Sequence, residues 1–258
     1  MKPRKQKAPS VRADQLLVSQ GLAGSRERAR ALILAGVVFH GTQRVEKAGQ
    51  PVREDTQLRV EQGPRYVSRG GEKLEGALQA FGLDVIGTVV LDVGSSTGGF
   101  TDCLLQHGAM KVYAVDAGTN QLAARLRADS RVVSMEQTNM RHGIELPEHV
   151  DLIVADVSFI SLRLVLPPAL RHLKPGGSAL LLVKPQFEAG RQQVGKGGVI
   201  RDPQVHAGVV GGFCLWAIGQ GLQPLGVRPS IIQGDAGNRE FFVLLRAAFA
   251  ASHASLHG

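Results

Sequence analysis

The segment Val90-Leu91-Asp92-Val93-Gly94-Ser95-Ser96-Thr97-Gly98-Gly99-Phe100 constrains the fold of this chain more than any other. Its apolar start reads as a buried strand, the glycines demand a tight turn, and Phe100–His107 carries helical patterning. Strand, glycine turn and helix in that order belong to an open α/β sheet, whose carboxyl edge is where such sheets take ligands. Asp116 ends the next predicted strand 22 residues after Gly94, a spacing that suits an acid accepting ribose hydroxyls.

The same alternation continues downstream. Strands are predicted near Val89–Val93, Lys111–Asp116, Val132–Glu136, Asp151–Asp156, Ala179–Lys184, Gln223–Pro229 and Phe241–Arg246, with helical patterns such as Ile160–His172 between them. The last two strands are separated by Gly234, Gly237 and Asn238 without a helix, so they read as an antiparallel hairpin. A doubly wound parallel sheet that finishes in a hairpin is the class I Rossmann-like methyltransferase pattern. A dehydrogenase sheet stays parallel to its edge.

Ahead of it lies a smaller α/β unit. A short helix is predicted over Ala13–Val18 and a second behind a Ser25 cap, with Ala29, Leu32 and Ile33 facing inward and Arg26, Arg28 and Arg30 pointing elsewhere. Short strands follow at Val37–His40, Arg44–Val45 and Leu58–Val60, with Gly49-Gln50-Pro51 as a turn. The expected division is a basic leader over 1–10, a small α/β unit over 11–60, a linker over 61–66, a larger α/β domain over 67–247 and a tail over 248–258.

Charge separates these parts. Residues 1–60 hold 12 Lys and Arg against 5 Asp and Glu, whereas residues 61–258 hold 18 against 17. A cationic first unit on a nearly neutral second one points to a polyanionic partner. Cys103 and Cys214 form no CxxC pair, so neither a disulfide framework nor a metal site is expected, and a reducing cytoplasm fits. The start of the chain shows no secretory h-region. Ala207–Gly219, the longest uncharged apolar stretch, is too short for a bilayer, which needs about 20 residues. A soluble monomer is expected.

Which cofactor the glycine turn holds follows from its spacing. Phe100 and Thr101 stand where a P-loop needs Lys and Ser or Thr. The glycines run G-x-x-x-G-G and not G-x-G-x-x-G, which disfavours but leaves open a nicotinamide dinucleotide. S-adenosylmethionine suits the turn better because it has no pyrophosphate to place at a helix N-terminus. Its candidate contacts are Asp92, Gly94, Ser95, Ser96, Thr97, Gly98, Gly99, Phe100 and Asp116, with Asp92 toward the cationic methionine end and Asp116 on the ribose.

Asp156 and Lys184 end two predicted parallel strands, and Glu240 begins the final antiparallel one, so all three emerge at the edge that carries Gly94. Charges placed there cost stability unless they serve chemistry or each other. Lys73 stands near the start of the domain's first helix in Ser68-Arg69-Gly70-Gly71-Glu72-Lys73-Leu74. The Lys73, Asp156, Lys184, Glu240 set resembles the catalytic tetrad of the FtsJ-like ribose 2′-O-methyltransferases.

Further motifs sharpen that likeness. The segments around Lys73 and Gly94, together with Asp156-Val157-Ser158-Phe159-Ile160-Ser161-Leu162, Val183-Lys184-Pro185-Gln186-Phe187-Glu188 and Gly237-Asn238-Arg239-Glu240-Phe241-Phe242, resemble the TlyA family. That family comprises cytidine 2′-O-methyltransferases acting on ribosomal RNA. The first unit is similar to the RNA-binding module of small-subunit ribosomal protein four, which the family carries fused to its catalytic domain. Family members were often named hemolysins, but no spanning or strongly amphipathic basic segment supports membrane lysis.

The resemblance implies methyl transfer to a ribose hydroxyl, with ribosomal RNA or a ribosomal subunit as partner. A hydroxyl attacks a sulfonium methyl more readily as its proton leaves, so a base must stand beside it. Lys184 is expected to be that base, Asp156 to orient it, and Lys73 and Glu240 to position the ribose. Arg4, Arg26, Arg28, Arg30, Arg69, Arg191 and Lys196 are expected to meet RNA, the last two on the Gly-rich stretch Gly190–Arg201 that orders on binding. Phe159 and Phe187 could stack on a displaced base, although core packing is the commoner fate of a phenylalanine. A nicotinamide-dependent oxidoreductase with a basic appendage, or an RNA-binding protein with a relic catalytic fold, are the alternatives.

Overall fold

The computed structural model describes residues 9–61, 64–195 and 197–247, and divides into two compact units between Arg65 and Tyr66. The first comprises β1 (Ser10–Arg12), α1 (Ala13–Ser19), α2 (Arg26–Leu34), β2 (Val38–His40), β3 (Gln43–Arg44), β4 (Pro51–Arg53) and β5 (Leu58–Val60). Ser25 caps α2 by accepting the Arg28 amide, and Gly36 follows its end at φ +73°. Leu16, Leu17, Ala29, Ile33, Val38 and Leu58 fill the core, whereas Leu32 is only partly buried.

Sequence patterning misses one small sheet here. Pro51, read as part of a turn, opens β4, which pairs antiparallel with β1 through Val11 and Val52. Proline is tolerated at the first residue of a strand on a sheet edge, so turn composition concealed the strand.

The second unit comprises α3 (Arg69–Phe81), β6 (Val89–Val93), α4 (Gly99–Gln106), β7 (Lys111–Val115), α5 (Ala124–Arg127), β8 (Val132–Met135), β9 (Val150–Ala155), α6 (Leu162–Leu170), β10 (Leu173–Val183), α7 (Pro185–Glu188), α8 (Pro203–Gly219), β11 (Leu222–Pro229) and β12 (Phe241–Ala247). Its seven strands run in the order β11-β12-β10-β9-β6-β7-β8. The five from β10 to β8 are parallel, while β12 lies antiparallel between β10 and β11.

Alternation along each strand feeds two cores, as the strand repeat requires. Leu91, Val93, Ile153 and Leu181 face α6 and α8, and Val90, Val112, Leu152 and Leu180 face α3 and α4. Tyr66, expected to end the linker, is instead 1% exposed and packs in this second core with Leu74 and Phe100. An aromatic ring provides more apolar area than a linker can leave in water.

Candidate functional site

Parallel pairing brings the ends of β6, β7, β9 and β10 to one edge of the sheet. The Val183–Phe241 pair is the last in the antiparallel ladder, which sets Lys184 and Glu240 side by side just beyond it. Two cavities open there, of about 440 and 260 Å³, sharing Gly94, Ser96, Asp156 and Ser158 as a common wall.

Asp116 borders the larger cavity, and both of its oxygens are fixed by backbone donors: Oδ2 accepts the Ser96 amide at 2.8 Å and Oδ1 the Gly118 amide at 2.7 Å. Each oxygen keeps a lone pair, so the carboxylate is held ready for two further donors. Gly94 stands at φ +82°, and a Cβ there would come within 2.8 Å of the Asp156 carbonyl oxygen. Only glycine lets this turn run so close to the neighbouring strand end.

The smaller cavity is lined by Arg69, Lys73, Asp156, Lys184 and Glu240, with Ser95, Thr97, Gly99 and Phe100 on the glycine-turn side. Lys73 Nζ donates to Glu240 Oε2 at 2.6 Å, and both side chains are buried. Lys184 Nζ lies 2.6 Å from Asp156 Oδ1 and donates to Ser158 Oγ at 2.8 Å. The four expected tetrad residues therefore converge on one space as two ion pairs.

Two candidates from the glycine segment border neither cavity. Asp92 belongs to the sheet face that packs on α4, because strand alternation turns it away from Val93, which lines the larger cavity. It is fully enclosed, its Oδ2 accepts Thr101 Oγ1 at 2.6 Å, and its Oδ1 has no hydrogen-bond partner. Burial pushes its carboxyl up to about 7 against that hydrogen bond, and the Asp156 and Asp116 carboxylates act in the same direction as burial. Gly98 stands at φ +95° beneath Leu122 and Leu126, and a Cβ there would come within 2.3 Å of Leu126 Cδ1, so its role is packing.

The basic residues fare differently. Arg28 is exposed on α2, and Arg26 and Arg30, expected with it to meet RNA, both also pair with Asp14, at 3.5 and 3.4 Å. Asp14 is enclosed, and hydrogen bonds from Arg12, with further help from Arg30 and Arg26, hold its carboxyl well below the usual carboxylate range. The two arginines thus serve the first unit's stability while keeping their outer faces, which remain about half exposed, in water. Arg4 and Lys196 lie outside the described residues, as does the Arg191 side chain.

Phe159 is 91% exposed on the rim of the larger cavity, 5.1 Å from the Phe187 ring, with a left-handed φ of +63°. The core-packing expectation is overturned for this residue. A bulky side chain in water on a strained backbone is a feature of functional rims.

Sequence reasoning missed three polar supports. Glu188 accepts Ser161 Oγ and the Leu162 amide and so caps α6; burial pushes its carboxyl up. Asn238 receives the Ile200 amide and donates to the Gly198 carbonyl, tying the Gly-rich stretch to the turn before Glu240. Ser158 holds Lys184.

Two family models match the chain. Residues 66–247 match the FtsJ-like methyltransferase family, and residues 11–58 match the S4 domain. The 16S/23S rRNA (cytidine-2'-O)-methyltransferase TlyA of Mycobacterium tuberculosis is 46% identical over 245 residues, covering 93% of this chain and 91% of that protein. Hemolysin A of Brachyspira hyodysenteriae is 41% identical over 237 residues, covering 90% and 98%. A solved structure described as a hemolysin, from Streptococcus thermophilus, superposes with a TM-score of 0.71 at 44% identity, covering 93% of this chain and 89% of that one.

Proposed function

This chain belongs to the FtsJ-like methyltransferase family, and from that premise we propose that it methylates the ribose 2′-oxygen of a cytidine in small- or large-subunit ribosomal RNA. The methyl donor is S-adenosylmethionine. The observation that carries the reading is the meeting of Lys73, Asp156, Lys184 and Glu240 on a cavity that shares a wall with the glycine-turn cavity. A nicotinamide enzyme has no use for that tetrad beside the glycine turn.

The residues present fit this donor. Asp116 offers two backbone-anchored oxygens for adjacent ribose hydroxyls, Val115, Met140 and Val165 supply apolar wall, and the Gly94 turn leaves room where a side chain would intrude. When bound, the donor supplies a methyl carried on a sulfonium sulfur.

The chain's own groups do the rest. Lys184 takes the proton from the 2′-hydroxyl as the oxygen–methyl bond forms, once the ammonium that pairs with Asp156 has released its own proton to solvent. Asp156 and Ser158 hold the amine in place, and the Lys73–Glu240 pair, with Arg69 beside it, fixes the ribose and its phosphate. Near-attack positioning of this kind accounts for about 7–11 kcal/mol of barrier lowering in well-oriented reactions.

RNA is held first by charge. The S4 domain presents Arg28 and the outer faces of Arg26 and Arg30 to phosphates, which carries affinity without base identity. Phe159 stacks on a base displaced from its helix, which exposes the ribose. The site of action is the cytoplasm. Among the described residues no helix is long and apolar enough to cross a membrane, so the hemolysin name of some relatives finds no spanning segment here.

Incubating the protein with labelled S-adenosylmethionine and ribosomal subunits from an unmodified strain, then mapping 2′-O-methyl positions, tests the reading. Label on a cytidine ribose is expected; label on a base, or none, overturns it.

A further inference from the structure

Lys184 has two partners of different kinds, one ionic and one neutral. Asp156 Oδ1 lies 2.6 Å from Lys184 Nζ, yet off the hydrogen-bonding direction, and it has no hydrogen-bonded donor. The aligned contact from Nζ goes instead to Ser158 Oγ, at 2.8 Å. Two residues after Asp156, Ser158 stands on the wall common to both cavities.

A neutral lysine amine has two N–H bonds and one lone pair on a tetrahedral nitrogen. If its hydrogens are not directed, the lone pair samples every orientation about the last C–N bond, and only one of them faces the substrate oxygen. A hydroxyl that accepts one N–H, with a carboxylate attracting the other, leaves the lone pair as the remaining direction, toward the cavity that Lys184 lines. The carboxylate alone cannot do this, because electrostatic attraction without alignment fixes distance and not rotation.

We propose that Ser158 is a positioning residue that aims the Lys184 lone pair at the ribose hydroxyl. The inference rests on the assignment of Lys184 as the base. In the step it serves, the ribose O–H bond breaks, its proton passes to Lys184 Nζ, and the freed electron pair forms the O–CH3 bond as the S–CH3 bond breaks and leaves a neutral thioether. Ser158 changes no bond. Its hydroxyl keeps one N–H occupied until the nitrogen has accepted its third.

The test uses the full-length protein with ribosomal subunits as substrate and Ser158→Ala, Ser158→Thr and Lys184→Ala as variants. Ser158→Ala is expected to lower kcat about 10- to 100-fold, while KM for RNA and the calorimetric Kd for S-adenosylmethionine stay within about 2-fold. Ser158→Thr, which keeps the hydroxyl, is expected to recover kcat to within about 3-fold of wild type. Lys184→Ala is expected to be inactive with donor binding intact.

The outcomes separate the claims. An active Lys184→Ala removes the base assignment itself. An inactive Lys184→Ala beside a Ser158→Ala variant of unchanged kcat overturns the role of Ser158 alone. A Ser158→Ala defect confined to donor affinity makes Ser158 part of the cofactor wall, which also overturns it.

Discussion

Lys73 and Glu240 stand 167 positions apart in sequence and share a 2.6 Å hydrogen bond in which both side chains are buried. A buried pair of this kind costs little while intact, and removal of one partner leaves an uncompensated charge, at about 3–5 kcal/mol. Lys73→Met and Glu240→Gln should each lower stability in urea denaturation, and the double variant should lose clearly less than the sum. Additive losses would mean that the two residues are stabilised independently.

Asp92 supplies a pH test. Its folded value of about 7 lies above the ordinary aspartate range, so the native state keeps a proton that the unfolded chain has already released. Its contribution to stability is therefore complete below about pH 4 and is lost as pH rises toward 7, a change on the order of a few kcal/mol. Asp92→Asn, which stays neutral, should gain stability relative to wild type between pH 5 and pH 8 in donor-free protein. The same difference at both pH values would refute the assignment.

Asp14 behaves with the opposite sign. Its depressed carboxyl contributes stability above the ordinary aspartate range and loses it as pH falls below. Because its arginine partners are about half exposed, the ion pairs are screened, and Asp14→Asn should cost on the order of 1–2 kcal/mol. Hydrogen exchange of α1 and α2 amides in the full chain reads this loss; unchanged protection would show that the cluster holds nothing together.

Arg28 and Arg30 should separate under mutation. Arg28→Ala should weaken RNA binding and reduce the salt slope by about one, with exchange protection unchanged. Arg30→Ala should also loosen the Asp14 cluster, so that binding and α2 protection fall together. Identical behaviour of the two variants would count against a dual role for Arg30.

Phe159→Ala should reduce methylation about 5- to 150-fold, the equivalent of about 1–3 kcal/mol of base stacking, while thermal stability and donor affinity stay as they were. Its ring is 91% exposed, so little packing is lost. A fall in melting temperature matching the fall in activity would return the residue to a structural role.

The sheet was legible because its strands are apolar runs that stop abruptly at Gly94, Asp116, Asp156 and Lys184, and parallel pairing converts four such stops into one edge. Glu240 was legible through the hairpin, which reverses the direction of β12. The alternation that placed Val93 on the cofactor side also placed Asp92 on the other, a consequence of a two-residue period that composition does not express. Asp14 reads in sequence as an ordinary first-turn acid of a helix, and only tertiary packing gathers three arginines around it. Ser158 was visible only as part of the motif that follows Asp156, and nothing in its spacing ties it to Lys184, since a serine after a strand end is common in loops.

β12 occupies an interior place in the sheet although it is the last strand in sequence among the described residues. Until it slots between β10 and β11, Lys184 has no neighbouring Glu240 and Lys73 has no counter-ion. The four-residue site is therefore a product of sheet closure, because the carboxylate that neutralises Lys73 arrives only with the strand inserted between two others.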